Sequence, residues 1–138
     1  MNVVSFFAGA GGLDLGFEKA GFNVVWANEY DKDIWETYER NHKNTLLDRR
    51  SIVNIESNEV PECDGIIGGP PCQGFSLTGA RNENDERNTL FNAVFKLAKR
   101  VNPKAIIIEN VPGLLNLYKG KAKKEIIELC EEMGYNCN

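Results

Sequence analysis

The sequence is poor in the residue types that build metal sites and disulfide frameworks. Its 138 residues contain one histidine, His42, and four cysteines, Cys63, Cys72, Cys130 and Cys137. No two cysteines form a CxxC pair and the histidine has no partner at metal-ligand spacing, which argues against a zinc site. Disulfides are rare in cytosolic proteins. The four thiols are therefore treated as isolated groups whose chemistry depends on their surroundings.

A long apolar run and a targeting signal are also missing. No stretch reaches the roughly 20 apolar residues that a membrane helix needs. The N-terminal segment MNVVSFFAGAGG has no basic start and no cleavage site after its short apolar run. We therefore expect no membrane contact and a cytoplasmic location.

The sequence has no excess of positive charge. Sixteen Lys and Arg residues stand against 20 Asp and Glu residues, for a net charge of −4. A protein that binds phosphates of nucleic acid unaided usually has a basic face. A nucleic-acid substrate would thus be held by residues outside this sequence, or by a local patch such as YKGKAKK (118–124). That patch is equally typical of a solvated helix start.

Apolar, strand-like runs alternate with helical patterns along the whole chain. Strands are predicted at 3–9, 23–29, 51–55, 64–70 and 105–111, and helices at 13–21, 32–42, 88–102 and 121–134. This order predicts an α/β fold with an open, doubly wound, mainly parallel sheet and helices on both faces. The sequence stops at GYNCN, where a further strand is expected, so the fold is expected to be truncated or completed by another chain.

Two features near the N-terminus indicate a nucleoside cofactor. The first predicted strand runs into FAGAGGLDLG (7–16), a glycine-rich turn that opens a helix and lets a ligand approach the backbone. The second ends in NEYD, which places Glu29 about 20 residues after the turn, where an acidic side chain can bind ribose hydroxyls. The turn reads FxGxGG rather than GxGxxG, and no P-loop lysine follows. A nicotinamide or flavin dinucleotide and a nucleoside triphosphate are therefore disfavoured.

Reactive groups are predicted at the ends of the fourth and fifth strands. In GGPPCQGFS (68–76) two prolines restrict the backbone directly before Cys72, and two glycines allow close approach. The fifth strand ends in ENV, which brings Glu109 to the same carboxyl edge of the sheet. Cys72 could then act as a nucleophile and Glu109 as an acid in one crevice. Taken singly, an inert thiol and a strand-end salt bridge explain these two residues equally well.

The segments FAGAGGLDLGFEKAG, NEYD, GGPPCQGFS and ENVPGLL, in this order and spacing, resemble the opening motifs of the cytosine carbon-5 DNA methyltransferases. The resemblance covers essentially the whole chain, and it is greatest to bacterial restriction-modification methylases of the GGCC-recognising kind. It implies a Rossmann-like fold that depends on S-adenosylmethionine, with residues 1–138 as the N-terminal part of the catalytic domain and the target-recognition domain absent. Double-stranded DNA is the implied substrate of the complete enzyme, and a complementary C-terminal chain is an implied partner.

The resemblance also implies roles for individual residues. Cys72 would attack carbon 6 of a flipped cytosine, while Glu109 would engage ring nitrogen 3 and the amino group, so that carbon 5 can accept the methyl group of S-adenosylmethionine. The cofactor-binding residues implied by the matched motifs are Phe7, Ala8, Gly9, Ala10, Gly11, Gly12, Leu13, Glu29, Tyr30, Ser51, Ile52, Gly69, Pro71 and Leu90.

Two departures from the family pattern affect what we expect. The family usually has Gly-Asp-Ile, whose aspartate binds the adenine amino group, where this chain has Arg50, Ser51 and Ile52. An uncharged serine is expected to weaken cofactor binding by about an order of magnitude, with Asp48 compensating only if its loop shifts. The later motifs of the family have no counterpart in these residues. We therefore expect no appreciable DNA methylation by this chain alone.

Two other functions remain open at this point. One is an S-adenosylmethionine-binding module without activity, and the other is a tRNA cytosine-5 methyltransferase, because a branch of the family methylates RNA. Amino-group methyltransferases also carry a Pro-Pro motif at this strand end. In those enzymes Asp, Asn or Ser usually precedes it and an aromatic residue follows, whereas Gly69 and Cys72 stand here.

Overall fold

The structure, a computed structural model, describes residues 1–71, 89–113 and 120–138. Its strands are β1 (Asn2–Phe6), β2 (Asn23–Asn28), β3 (Leu46–Asp48), β4 (Gly65–Gly68) and β5 (Ala105–Ile108). Its helices are α1 (Gly12–Lys19), α2 (Trp35–Asn41), α3 (Thr89–Val101) and α4 (Lys121–Glu132). Within the described ranges the strands form one parallel sheet in the order β3-β2-β1-β4-β5. The predicted open parallel α/β fold is confirmed.

Helices cover both faces of the sheet because successive strand residues point in opposite directions. On one face Val3 joins Val24 and Ile67, against which Leu13 and Phe17 of α1 pack. On the other face the sheet meets α3 in a larger core, whose buried members are Val4, Phe6, Trp26, Ile52, Ile55, Val60, Ile66, Val94, Leu97, Ala98 and Val101. The strands at the centre of the sheet are thus apolar on both sides, as their nearly continuous apolar runs predicted.

The third strand lies elsewhere than predicted. Residues 51–55 form a 3₁₀ turn at Ile52–Asn54, and the strand is the short segment Leu46–Asp48 that precedes it. Ile52 and Ile55 stand three residues apart and are both buried in the α3 core, while Val53 between them is exposed. This spacing suits a turn that packs one side onto a helix. The prediction of a strand at 51–55 was therefore wrong.

The strand order creates a crevice at the carboxyl edge of the sheet. The chain builds β1, β2 and β3 outward on one side, and then crosses to the other side of β1 to add β4 and β5. In open parallel sheets the connections leave in opposite directions at such a reversal, and ligands bind in the gap between the two strand ends. Here the gap lies between the ends of β1 and β4.

Candidate functional site

A pocket of about 370 Å³ opens at the reversal point between β1 and β4. The predicted site residues Phe7, Ala8, Leu13, Gly69 and Glu109 all line it. The glycine turn, the end of β4 and the end of β5 are therefore brought together, as the sequence predicted. The remaining lining residues are Ser5, Phe6, Asp14 and Gly68.

The glycine turn adopts backbone conformations that glycine favours. Gly9 and Gly11 have φ of 55° and 84°, in the left-handed region, and Phe7 also has a positive φ of 53°. A Cβ atom at Gly11 would lie 2.0 Å from Nε2 of His42, so no side chain fits there. The turn is closed by the N–H of Gly11, which donates to the carbonyl of Ala8 at 2.9 Å. Both the torsion angle and the close packing thus require glycine at position 11.

Glu29 holds the glycine turn against the end of β2. Its Oε2 accepts a hydrogen bond from the Gly9 N–H at 2.8 Å, and its Oε1 accepts one from the Asp31 N–H at 2.7 Å. The indole of Trp35 donates to the Glu29 carbonyl at 2.8 Å and fixes the backbone. Each carboxylate oxygen has two lone pairs, so both oxygens can accept a further hydrogen bond from a ligand hydroxyl.

Glu109 lies beside Gly69, and a side chain at position 69 would make a tight contact with its carboxylate. A Cβ atom there would lie 3.3 Å from Oε2 of Glu109. At the preceding position a Cβ atom would lie 2.6 Å from the carbonyl oxygen of Phe6, so Gly68 is required by the close approach of β1. The Glu109 N–H donates to the Gly68 carbonyl at 2.9 Å. The two glycines therefore allow β4 to end next to an exposed carboxyl group.

Asn110 joins the end of β5 to the proline pair. Its Nδ2 donates to the Pro70 carbonyl at 2.7 Å, and its Oδ1 accepts from the Val111 N–H at 2.9 Å. This asparagine stands in the segment ENV, and no role was predicted for it from the sequence. Its position between Glu109 and Val111, at the end of a predicted strand, was the sequence feature that could have indicated a role at the site. Cys72 lies in the range 72–88, outside the described residues, so its role stays a prediction.

The other predicted cofactor residues lie in varied surroundings. Ala10, Gly12, Tyr30 and Pro71 are exposed, with Tyr30 70% exposed beside Glu29. Ser51 is half-buried directly before the 3₁₀ turn. Two of the predicted residues instead contact the apolar core: Ile52 is 2% exposed within it, and Leu90 packs against it half-buried.

The carboxylate of Asp48 forms an ion pair with Arg50. Asp48 is the residue that could compensate for the serine at position 51, where the family usually has aspartate. The guanidinium Nη2 lies 2.7 Å from Oδ2 of Asp48, and Nη1 lies 3.0 Å from Oε1 of Glu59. The side-chain hydrogen bond from Arg50 lowers the pKa of Asp48 below its ordinary value. Asp48 is therefore committed to an ion pair in this conformation.

Asp14, a buried carboxylate that lines the pocket, was not predicted from the sequence as a site residue. Asp14 is 0% exposed, and it accepts hydrogen bonds from Ser5 Oγ at 2.7 Å and from the Tyr38 hydroxyl at 2.5 Å. Burial raises the pKa of Asp14, and the two hydrogen bonds oppose that rise. Asp14 and Tyr38 lie 24 residues apart in the sequence, so no local pattern predicts their contact.

Two of the three described thiols, Cys63 and Cys130, have raised pKa values and are therefore weak nucleophiles. Burial raises the pKa of Cys63 to about 11 and that of Cys130 to about 12, and Cys137 is exposed. Among the residues outside the gaps, no group of three or more His, Cys, Asp or Glu side chains could hold a metal ion. The described helices also include none that is both long enough and apolar enough to span a membrane. Of the basic segment 118–124, the structure describes only the part from Gly120, the N-cap residue of α4.

Comparisons with known proteins show which family the chain resembles. A family model described as C-5 cytosine-specific DNA methylase matches residues 1–138. Type II methyltransferase M.FnuDI of Fusobacterium nucleatum is 53% identical over 137 residues, which cover 99% of this chain and 40% of that protein. Type II methyltransferase M.NgoPII of Neisseria gonorrhoeae is 45% identical over 138 residues, with coverages of 99% and 40%. The chain thus spans about two fifths of the length of these curated relatives.

Solved structures show the same architecture. A crystal structure described as a prophage-encoded DNA modification methyltransferase of E. coli is 32% identical with a TM-score of 0.79, covering 96% of this chain and 38% of that chain. The Dnmt2 methyltransferase of S. pombe is 24% identical with a TM-score of 0.75, covering 99% of this chain and 41% of that chain, and it supports the fold alone.

The family implies S-adenosylmethionine as the methyl donor, and the residues present fit an adenosyl cofactor. Phe7 and Ala8, at the start of the glycine turn, line the pocket, Glu29 offers two oriented acceptor oxygens, and the pocket lies at the reversal point of the sheet. The match of the family model to residues 1–138 then decides the classification. The chain belongs to the C-5 cytosine-specific DNA methylase family.

Proposed function

We propose that this chain carries the catalytic and cofactor-binding part of a DNA (cytosine-5-)-methyltransferase of the restriction-modification type. The observation that carries the proposal is the meeting of Glu109 and Gly69 at the pocket between β1 and β4. Pro70 and Pro71 follow Gly69, which lines the pocket, and Cys72 is the next residue in the chain. An acid and a nucleophile at one sheet edge, beside a cofactor turn, are what methyl transfer to a pyrimidine ring carbon requires.

In the proposed reaction Cys72 is the nucleophile and Glu109 is the acid. The Cys72 thiolate forms a bond to carbon 6 of a cytosine that has left the helical stack. Glu109 engages ring nitrogen 3 and the amino group and stabilises the charge that develops on the ring. The bound S-adenosylmethionine supplies the electrophilic methyl group for carbon 5. Loss of the carbon-5 proton and departure of the thiol then restore the aromatic ring.

Asn110 and Gly69 are proposed to align the two reacting groups. The hydrogen bond from Asn110 to the Pro70 carbonyl fixes the segment that leads to Cys72 relative to β5, on which Glu109 stands. Gly69 leaves the Glu109 carboxylate unobstructed toward the pocket. Proline at positions 70 and 71 limits the backbone freedom of the same segment. A fixed distance between acid and nucleophile is the expected consequence.

Double-stranded DNA is the proposed substrate, and a complementary segment is proposed to supply most of its binding. The curated relatives are about two and a half times as long as the segment that aligns with this chain. With a net charge of −4, the 138 residues offer little electrostatic attraction to a phosphate backbone. We therefore infer that methyl transfer by these residues needs the rest of the family's sequence, within one chain or in a second chain.

Covalent trapping tests the assignment of Cys72. A DNA duplex containing 5-fluorocytosine, which cannot release a carbon-5 proton, is incubated with the chain, S-adenosylmethionine and the non-aligned part of the F. nucleatum relative. We expect a protein–DNA adduct that survives denaturation and that maps to Cys72. An adduct that persists in Cys72→Ser, or the absence of any adduct when DNA and cofactor are both bound, would contradict the proposal. An adduct with tRNA in place of DNA would move the substrate to RNA.

A further inference from the structure

We propose that Asp14, Glu18, Tyr38 and His42 form a positioning device that holds the cofactor turn in its binding conformation. The proposal rests on the proposed function and goes beyond it, because none of these four residues is among the predicted cofactor-binding residues, although Asp14 lies in the segment 7–16 that opens α1. We call this group of four residues the helix zipper. The zipper joins α1, which follows the glycine turn, to α2.

The zipper has a regular arrangement. Asp14 and Glu18 lie one turn apart on α1, and Tyr38 and His42 lie one turn apart at α2, so each pair presents both side chains on one side of its helix. The Tyr38 hydroxyl donates to Oδ2 of Asp14 at 2.5 Å, and Nδ1 of His42 lies 3.2 Å from Oε2 of Glu18. The phenol and imidazole rings stack with centroids 4.4 Å apart and an interplanar angle of 26°. Two acids therefore face two stacked rings.

Burial makes the zipper sensitive to the loss of Asp14, Tyr38 or His42, whereas Glu18 is half-buried. Asp14 and Tyr38 are 0% exposed and His42 is 3% exposed. The direct hydrogen-bond donors to Asp14 are the neutral hydroxyls of Ser5 and Tyr38. A buried carboxylate that loses a donor cannot turn to water instead, so the neighbouring backbone must move or the group must become protonated. The arrangement thus has one well-defined position for α2 relative to α1.

Two contacts connect the zipper to the pocket. His42 packs with its ring edge directly on Gly11, at the position where a Cβ atom would lie only 2.0 Å from Nε2. Ser5 and Asp14 themselves line the pocket beside Leu13. A shift of α2 would release the imidazole from Gly11 and free the left-handed turn that joins Phe7 and Ala8, which line the pocket, to α1. The residues of the zipper are therefore positioning residues for cofactor binding.

A matched pair of substitutions separates positioning from general stability. Tyr38→Phe removes the hydroxyl that reaches Asp14, and Tyr135→Phe removes one that donates to the Pro103 carbonyl at 2.6 Å, away from the pocket. In the 138-residue chain we expect Tyr38→Phe to accelerate amide hydrogen exchange at Gly9 and Gly11 about tenfold, and to raise the Kd for S-adenosylmethionine about tenfold, as the loss of a hydrogen bond to a charged group predicts. Tyr135→Phe should change neither quantity more than about twofold, although both variants lose some global stability.

A conservative variant provides the rescue. Asp14→Asn keeps an oxygen that accepts from Tyr38, and its amide can donate to the Ser5 hydroxyl, which can rotate to accept. It should therefore bind the cofactor within about threefold of the unsubstituted chain, whereas Asp14→Leu should lose tenfold or more. Equal turn exchange in Tyr38→Phe and Tyr135→Phe, or equal weakening by Asp14→Asn and Asp14→Leu, would overturn the proposal. If the unsubstituted chain binds no cofactor even with the non-aligned part of the F. nucleatum relative present, the proposed function fails, and the exchange rates at Gly9 and Gly11 still decide the positioning role.

Discussion

The N–H of Gly9 donates to Oε2 of Glu29 at 2.8 Å, so the glycine turn and the end of β2 are one structural unit. The two residues lie 20 positions apart and follow different strands. The same carboxylate receives the Asp31 N–H on its other oxygen. The acid that is proposed to bind ribose hydroxyls thus also holds the backbone against which the cofactor would lie. Its substitution should therefore affect the turn and the ligand together.

The first prediction concerns this double role. Glu29→Gln replaces one acceptor oxygen by an amide group that donates, so one of the two backbone hydrogen bonds must be lost. We expect the Kd for S-adenosylmethionine to rise about tenfold or more, as measured by isothermal titration calorimetry. Glu36→Gln is the matched control, because Glu36 is 76% exposed in its ion pair with Arg40. Equal affinities of the two variants would contradict the assignment of Glu29.

A second prediction tests the contact between Gly69 and Glu109. In Gly69→Ala the new Cβ atom would lie 3.3 Å from Oε2 of Glu109, which forces the carboxylate to move. We expect methyl transfer by the complemented chain to fall by about tenfold, because an acid displaced by a few tenths of an ångström loses part of its alignment. The free energy of unfolding should fall by less than about 2 kcal/mol.

Gly16→Ala serves as the control for that substitution. A Cβ atom at Gly16 would have no neighbour within 4 Å, and the residue lies inside α1. Alanine there should leave the transfer rate unchanged and raise the free energy of unfolding by about 0.5–1 kcal/mol. If Gly69→Ala retained full transfer activity, Glu109 would not need the space that Gly69 leaves.

The third prediction follows from the serine at position 51. Since Arg50 binds the carboxylate of Asp48 at 2.7 Å, Asp48 does not replace the family's aspartate in this conformation. Ser51→Asp should therefore lower the Kd for S-adenosylmethionine by about tenfold, the difference between a charged and a neutral acceptor. Asn54→Asp, on the same 3₁₀ turn, adds the same charge at an exposed position and should have little effect. A tighter complex with both variants would indicate only a general effect of charge.

A fourth prediction uses the pH dependence of stability. The side-chain hydrogen bond from Arg50 lowers the pKa of Asp48 from its ordinary value of 3.8, and the backbone hydrogen bond from Glu56, together with the hydrogen bond from Arg50, lowers the pKa of Glu59. A carboxyl group whose pKa is lower in the folded state stabilises the fold above its unfolded pKa, and this contribution is lost as the pH falls through the folded pKa. The difference in unfolding free energy between the unsubstituted chain and Arg50→Ala should thus be constant from about pH 7 to about pH 5 and shrink below about pH 4. Urea denaturation across this range measures it, and a difference that grows toward acid pH would contradict the prediction.

The sheet could be predicted from sequence wherever a strand is buried on both faces. The runs at 3–9, 23–29 and 64–70 are apolar nearly throughout because α1 packs on one side and α3 on the other. The strand Leu46–Asp48 escaped prediction because it has three residues, too few for any periodic pattern. The apolar residues at 51–55 belong to a 3₁₀ turn that packs onto α3. Because several of them are β-branched, their pattern resembles that of a strand.

The site was predictable where motifs mark the ends of strands, and not where polar residues meet across the fold. The glycine turn, Glu29 and Glu109 follow strand ends, and parallel strands bring their carboxyl ends to one edge. Asp14 and Tyr38 are separated by 24 residues, and the polar side of an amphipathic helix usually faces solvent. Only the three-dimensional packing of α1 on α2 shows that this carboxylate is buried.

Methyl transfer by the complemented chain tests the central claim most directly. The chain is mixed with the non-aligned part of the F. nucleatum relative, double-stranded DNA and methyl-labelled S-adenosylmethionine, and the DNA is digested to nucleosides for mass spectrometry. We predict label in 5-methylcytosine alone, at a level that disappears in Cys72→Ser and in Glu109→Ala. Label on the amino group of cytosine or adenine, or unchanged labelling in Cys72→Ser, would contradict the account.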